Sequence, residues 1–188
     1  MKLILAIWFA AAVALAASGM LAHAPVPLPA IAILLSAAAL LASTSVPALQ
    51  QEVNRLGLRT LIGLHLIRVL AGAYFLILNG RGVLPAEFAV PAGWGDIVVG
   101  LAAIPVLALC VPVTTPARRN AVLAWNTIGL IDILFVLGNG MRILLAGGDI
   151  AGPFSSLPLA LLPTFVVPLI IASHLLVFAR MRREPTHN

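Results

Sequence analysis

The chain predicts an all-α fold: a single integral-membrane domain of six transmembrane helices. Three observations carry that expectation. Of 188 residues, 62 % are hydrophobic and 9 % charged, against about 45–50 % and about 25 % in an ordinary soluble domain. Mean hydropathy is +1.12, and six acids with eleven bases cannot cover a water-soluble globule of this size. Six apolar runs follow one another, each close to the roughly 20 residues that a spanning helix needs. What remains is divided among short connections, so no stretch is long enough for a soluble domain.

The first run, about Leu3–Leu21, is preceded by Lys2 and followed by Ala22-His23-Ala24, which resembles a signal cleavage site. Pro25 follows directly and the run exceeds a normal signal core, so it is read as span 1. Its Ala6, Ala10, Ala14, Ser18 and Ala22 recur at i+4, a ridge of small side chains suited to close helix approach in lipid. After the stiff Pro25-Val26-Pro27-Leu28-Pro29, span 2 runs about Ala30–Val46 and stops at Pro47; a short polar segment, Gln50–Arg59, comes next. Span 3, about Thr60–Leu78, is closed by the turn pair Asn79-Gly80. The connection Arg81–Gly93 holds Pro85 and Pro91 and leads into span 4, about Trp94–Val111. Pro112–Asn120 forms a basic loop before span 5, about Ala121–Leu137, which Gly138-Asn139-Gly140 closes. A glycine-rich connection, Met141–Leu157, precedes span 6, about Pro158–Ala179, and a basic tail.

Charge sets the expected orientation. The N-terminus, the 2–3 and 4–5 connections and the C-terminus hold Lys2, Arg55, Arg59, Arg118, Arg119, Arg180, Arg182 and Arg183, whereas the other connections hold Arg81 and Arg142. Basic residues concentrate on the cytoplasmic side, so both termini are expected there, in a bacterial inner membrane, with anionic headgroups along the basic rim. The net charge of +5 is spread over loop ends rather than gathered in a patch, which argues against nucleic acid. Cys110 stands alone, excluding an intrachain disulfide and a thiolate metal cluster.

Ionisable residues inside spans carry the functional expectation, because Arg or Asp at a helix centre costs about 2.5–3.5 kcal/mol on insertion scales. Arg68 lies in span 3 and Asp132 in span 5, about 13 and about 18 Å from the cytoplasmic edge at about 1.5 Å per residue. Being within one turn of the same level, they are the expected compensating pair. Asp96, in Trp94-Gly95-Asp96, falls at the outer start of span 4, where the helix N-terminus favours an anion. Two readings stay open: a buried clamp with a helix-end anion, or a polar cavity that binds or relays something. His65 and His174 lie at equal depth on different spans and could ligate a b-type haem axially; alternatively each imidazole bonds a neighbouring helix. Trp94 suits the outer interface, and Trp125-Asn126 suits packing with a hydrogen bond. Pro105, Pro163 and Pro168 free the carbonyls of Leu101, Leu159 and Thr164.

The stretch Leu84-Pro85-Ala86-Glu87-Phe88-Ala89-Val90-Pro91-Ala92-Gly93-Trp94-Gly95-Asp96 resembles a group of small uncharacterised bacterial multi-span membrane proteins carrying an LPxxFAxPAGWGD stretch. The resemblance continues through Trp125-Asn126, Gly129 with Asp132, and Pro168 with His174, covering spans 3 to 6. It implies the architecture and no activity.

The leading expectation is a transport or channel-like protein with an outward-facing cavity built on Asp96, Asp132 and Arg68, with Trp94 and Asn126 beside them. No resident cofactor is expected on that reading. The alternatives are a haem b electron-transfer protein ligated by His65 and His174, or a non-catalytic subunit with a homo-oligomeric or membrane partner. An enzyme is disfavoured, since the chain has no histidine-rich box, Ser–His–acid set or metal-spaced carboxylates.

Overall fold

A computed structural model describes residues 1–183, and these are helical with short connections. Among them, five helices are long and apolar enough to cross a membrane: Leu28–Ser45, Leu58–Gly80, Ala86–Cys110, Pro116–Leu145 and Leu162–Arg182. A chain with five such helices is built as a multi-pass membrane protein. The helices are α1 (Lys2–Ala17), α2 (Leu28–Ser45), α3 (Pro47–Arg55), α4 (Leu58–Gly63), α5 (Ile67–Gly80), α6 (Ala86–Cys110), α7 (Pro116–Leu145), α8 (Ala151–Phe154) and α9 (Val167–Arg183).

Several boundaries differ from the sequence reading, each for a local reason. Span 1 was expected to reach Leu21, but α1 stops at Ala17, and Gly19 turns the chain at φ +73° into a short 3-10 segment, Met20–His23. The first expected span is therefore 16 residues long, about 24 Å. The polar segment after α2 is largely the helix α3, where Arg55 pairs with Glu52 at 2.8 Å. The largest correction concerns α6. It begins eight residues before Trp94, at Ala86, behind Pro85 and with Glu87 in its first turn. Pro91 lies inside it and leaves the Glu87 carbonyl without its helical N–H, yet the helix runs through. Asp96 is consequently not an anion at a helix start, nor Trp94 an anchor at one; Asp96 lies about 15 Å along α6 from Ala86. Gly138-Asn139-Gly140 likewise does not end its helix, which runs on to Leu145 before Gly147 turns at φ +79°. The last span begins not at Pro158 but with a π-helical turn, Leu162–Val166, which leads into α9.

The chain forms two compact units. The first comprises Met1–Arg55 and Leu137–Ala172. In it the terminal ammonium of Met1 meets Glu52 Oε2 at 2.8 Å, joining the start of α1 to α3. Trp8 Nε1 donates to the Thr164 carbonyl at 3.0 Å. Pro168 is what leaves that carbonyl available, and Phe165 packs edge-on against both Trp8 and Phe9. This contact turns the Trp8, Ala12 and Ala16 side of α1 inward, so the small-residue ridge Ala6, Ala10, Ala14, Ser18 and Ala22 is exposed instead of packed.

The second unit comprises Leu56–Val136 and, among the described residues, 173–183. Its core gathers Leu61 and Ile62 of α4, Val99 and Ala103 of α6, Val122 and Trp125 of α7, and Val177 and Met181 of α9. Glycines let α5 and α6 touch backbone to backbone. A Cβ on Gly72 would strike the Gly93 carbonyl oxygen, and one on Gly100 would lie 3.0 Å from the Val69 nitrogen and 3.1 Å from the His65 oxygen. Such close approach brings the side chains between these glycines to one level.

Candidate functional site

The second unit holds two polar groups joined through one backbone position. Arg68, near the start of α5, is held by two carboxylates and a carbonyl. Its Nε donates to Asp96 Oδ1 at 2.7 Å, its Nη1 to the Gly129 carbonyl at 3.0 Å, and its Nη2 to Asp132 Oδ2. The Arg68–Asp132 pair expected from depth is present, and Asp96 joins it because α6 starts early enough to carry that residue inward. The three side chains are not equally enclosed: Arg68 is 2 % exposed, Asp96 6 % and Asp132 17 %. Gly95 packs directly on Asp132, and a Cβ there would fall on Asp132 Oδ1. Arg68 cannot shed its proton inside a protein, so with both carboxylates ionised the group would carry one surplus negative charge.

The second group is built on imidazoles. His65 sits in the 3-10 turn Leu64–Leu66 between α4 and α5, and His174 in α9; neither is exposed. Their ring centroids are 4.2 Å apart, tilted 48°. His65 Nε2 pairs with Ser173 Oγ at 2.9 Å and His174 Nδ1 with Asn126 Oδ1 at 2.9 Å. Asn126 Nδ2 donates to the His174 carbonyl at 3.0 Å. The Trp125 ring lies edge-on to His65, and its indole donates to the Val99 carbonyl at 3.0 Å. Two nitrogens, His65 Nδ1 and His174 Nε2, are buried without a hydrogen-bond partner.

These distances test the haem expectation directly. An iron ligated by two axial imidazoles places a flat porphyrin between their rings. Rings 4.2 Å apart, fully enclosed and each tied through one nitrogen to a neighbouring side chain, leave no place for it. The histidines do not fit that group. Among the described residues, no three His, Cys, Asp or Glu side chains cluster as a metal site.

Of the expected site residues, Arg68, Asp96 and Asp132 come together, and Asn126 joins the histidines rather than the acids. Trp94 joins neither: two residues before Asp96 on α6, it points away from the cluster and is 57 % exposed. Sequence reasoning missed Gly129 as a member of the site. It touches both groups, since its carbonyl accepts from Arg68, and a Cβ on it would come within 2.6 Å of His174 Cε1. The signal was its i, i+3 spacing from Asp132, which puts both on one face of α7. Ser173, adjacent to His174, carried no signal of its own.

Comparison with known protein families matches residues 25–182 to the family described as Domain of unknown function (DUF8737). No curated protein and no solved structure matches the chain.

Proposed function

This chain belongs to the DUF8737 family, and we propose that its members move protons, alone or coupled to a small solute, across a bacterial inner membrane. The carrying observation is the burial of one guanidinium with two carboxylates at one level of the second unit. A permanent counter-charge for Arg68 needs one acid. The second acid leaves a surplus charge in hydrocarbon that a proton or a monovalent cation removes. Asp132, the more exposed of the two, is the acid that exchanges with the outer side; Asp96 stays with Arg68. The bare Gly95 backbone leaves Asp132 room to lie against the guanidinium. Trp94 has no part in this pathway.

Six crossings with cytoplasmic termini complete the proposal. The Met1–Glu52 contact supports it, because it sets the start of α1 beside α3, the helix that directly follows α2, as two antiparallel crossings would. At about 24 Å, α1 is shorter than the roughly 30 Å hydrocarbon core and would thin the bilayer locally. The basic cytoplasmic rim would hold anionic lipid headgroups.

The test uses purified protein in phosphatidylcholine vesicles with a trapped pH dye and a potassium-diffusion potential. Wild type should acidify the lumen, and Asp132→Asn should insert and fold but carry no flux. Equal flux in both, or none in wild type, removes the proposal. In that case the Arg68 cluster is a helix clamp, which fits a non-catalytic subunit that copurifies with a partner.

A further inference from the structure

The unpartnered nitrogen of His174 is chemically defined by its neighbour. Asn126 Nδ2 is committed to the His174 carbonyl, which can only accept, so Asn126 Oδ1 faces His174 Nδ1 as an acceptor. His174 Nδ1 therefore bears the hydrogen, and in the neutral ring Nε2 is a bare lone pair. That lone pair is fully buried and lacks a donor, an unfavourable state inside a protein. Nε2 faces Gly129 of α7, lying 3.1 Å from where a Cβ on that residue would stand. The Gly129 carbonyl is the one that Arg68 Nη1 grips. Asp132 follows three residues later on the same face, about 5 Å along the axis.

We propose that His174 is the second station of the proton carried by the Asp96–Asp132 pair, so that the relay runs from Asp132 past Gly129 to His174 Nε2. This inference rests on the proton-moving role proposed above and names its inward route. Charge balance supports it. With the proton on a carboxyl group, the set is Arg68 positive, one Asp negative and His174 neutral. In the step, the carboxylic O–H bond breaks and an N–H bond forms at His174 Nε2. The set is then Arg68 and His174 positive with both carboxylates negative. Both states are neutral, so neither leaves a net charge in hydrocarbon. In the second state Asn126 Oδ1 still accepts from His174 Nδ1.

The neighbours of His174 limit the charge to one imidazole. The His65 ring, its centroid 4.2 Å from that of His174, would as an imidazolium add a second cation that repels the first, and the remaining charged groups of the cluster are Arg68 of α5, Asp96 of α6 and Asp132 of α7. His65, tied to Ser173, acts as a positioning residue that backs the His174 ring.

Two measurements decide the matter. The first is flux in the vesicle assay for His174→Gln beside Asp132→Asn. The second is nitrogen NMR of ring-labelled histidine in wild type and in Asp132→Asn, at about pH 6, where histidine charge is ordinarily in play. The inference expects no flux in either variant. It also expects an imidazolium signal for His174 in wild type that is lost in Asp132→Asn, where the surplus carboxylate is gone. Flux retained in His174→Gln but lost in Asp132→Asn overturns the relay and leaves the carboxylate role standing; flux retained in both overturns both. Should His174→Gln fail to fold, the spectra decide: a His174 ring in the same protonation state in wild type and Asp132→Asn overturns the relay.

Discussion

Replacing Arg68 with Met is the sharpest probe of the cluster. The substitution keeps most of the side-chain volume and removes three hydrogen bonds, to Asp96, to the Gly129 carbonyl and to Asp132. It also leaves two buried carboxylates sharing one place without a cation. Breaking a buried ion pair by removing one partner costs about 3–5 kcal/mol, whereas replacing the whole set by apolar groups is often close to neutral. For a chain of this size about 1 kcal/mol moves the midpoint of unfolding by about 2–4 °C, so Arg68→Met should unfold about 6–20 °C below wild type. The triple variant Arg68→Met, Asp96→Asn, Asp132→Asn should recover most of that loss. Cys110, the single cysteine, is partly buried against the core of the second unit. A thiol-reactive dye that fluoresces on reaction therefore reports the unfolding of this unit during heating in detergent. An Arg68→Met protein that unfolds within a degree or two of wild type would refute the reasoning, because the guanidinium would then contribute nothing that the carboxylates need.

Further outcomes follow from single contacts. Gly95→Ala places a methyl group on Asp132 Oδ1, so it should sever the Arg68–Asp132 contact and lower vesicle flux while Ala at the open position Gly138 changes nothing; unchanged flux in Gly95→Ala would free Asp132 of that contact. Gly72→Ala drives a methyl group into the Gly93 carbonyl and to 3.0 Å from Asp96 Cβ, which should cost about 1–3 kcal/mol by overpacking, read as an earlier Cys110 reaction on heating. Trp8→Phe keeps a ring against Phe165 but loses the indole hydrogen bond to Thr164, worth about 0.5–1.5 kcal/mol, to be measured by thermal circular dichroism. Trp94→Ala should leave flux unaltered; a loss would return that residue to the pathway.

Much of the fold can be read from composition and punctuation. Hydropathy marks six apolar runs, five of which form helices of spanning length, and the proline- and glycine-bearing connections place most of their ends within a turn. The misreadings share a cause. Pro91, Gly138 and Gly140 break helices in water, but a long apolar helix in hydrocarbon has no solvent to receive its freed backbone groups, so α6 and α7 run through them. Gly19 misled in the opposite sense, since apolar residues on both sides concealed a left-handed turn.

The site divides along the same line. Depth counting pairs Arg68 with Asp132 and sets His65 level with His174, because rise per residue is a property of any helix. Rotation about the helix axis is not available from depth. Which face Asp96, Trp94 and Asn126 present depends on where α6 starts and on which glycines let α5 and α6 meet. The amino-acid sequence by itself determines that this chain is a set of apolar helices carrying a few ionic residues too costly to leave alone in hydrocarbon. Only the tertiary structure decides that Asp96 shares the guanidinium, that Asn126 belongs to the histidines, and that Gly129 stands between them. Cost per buried charge is local, whereas the partner that offsets it is set by the packing of helices distant in the chain.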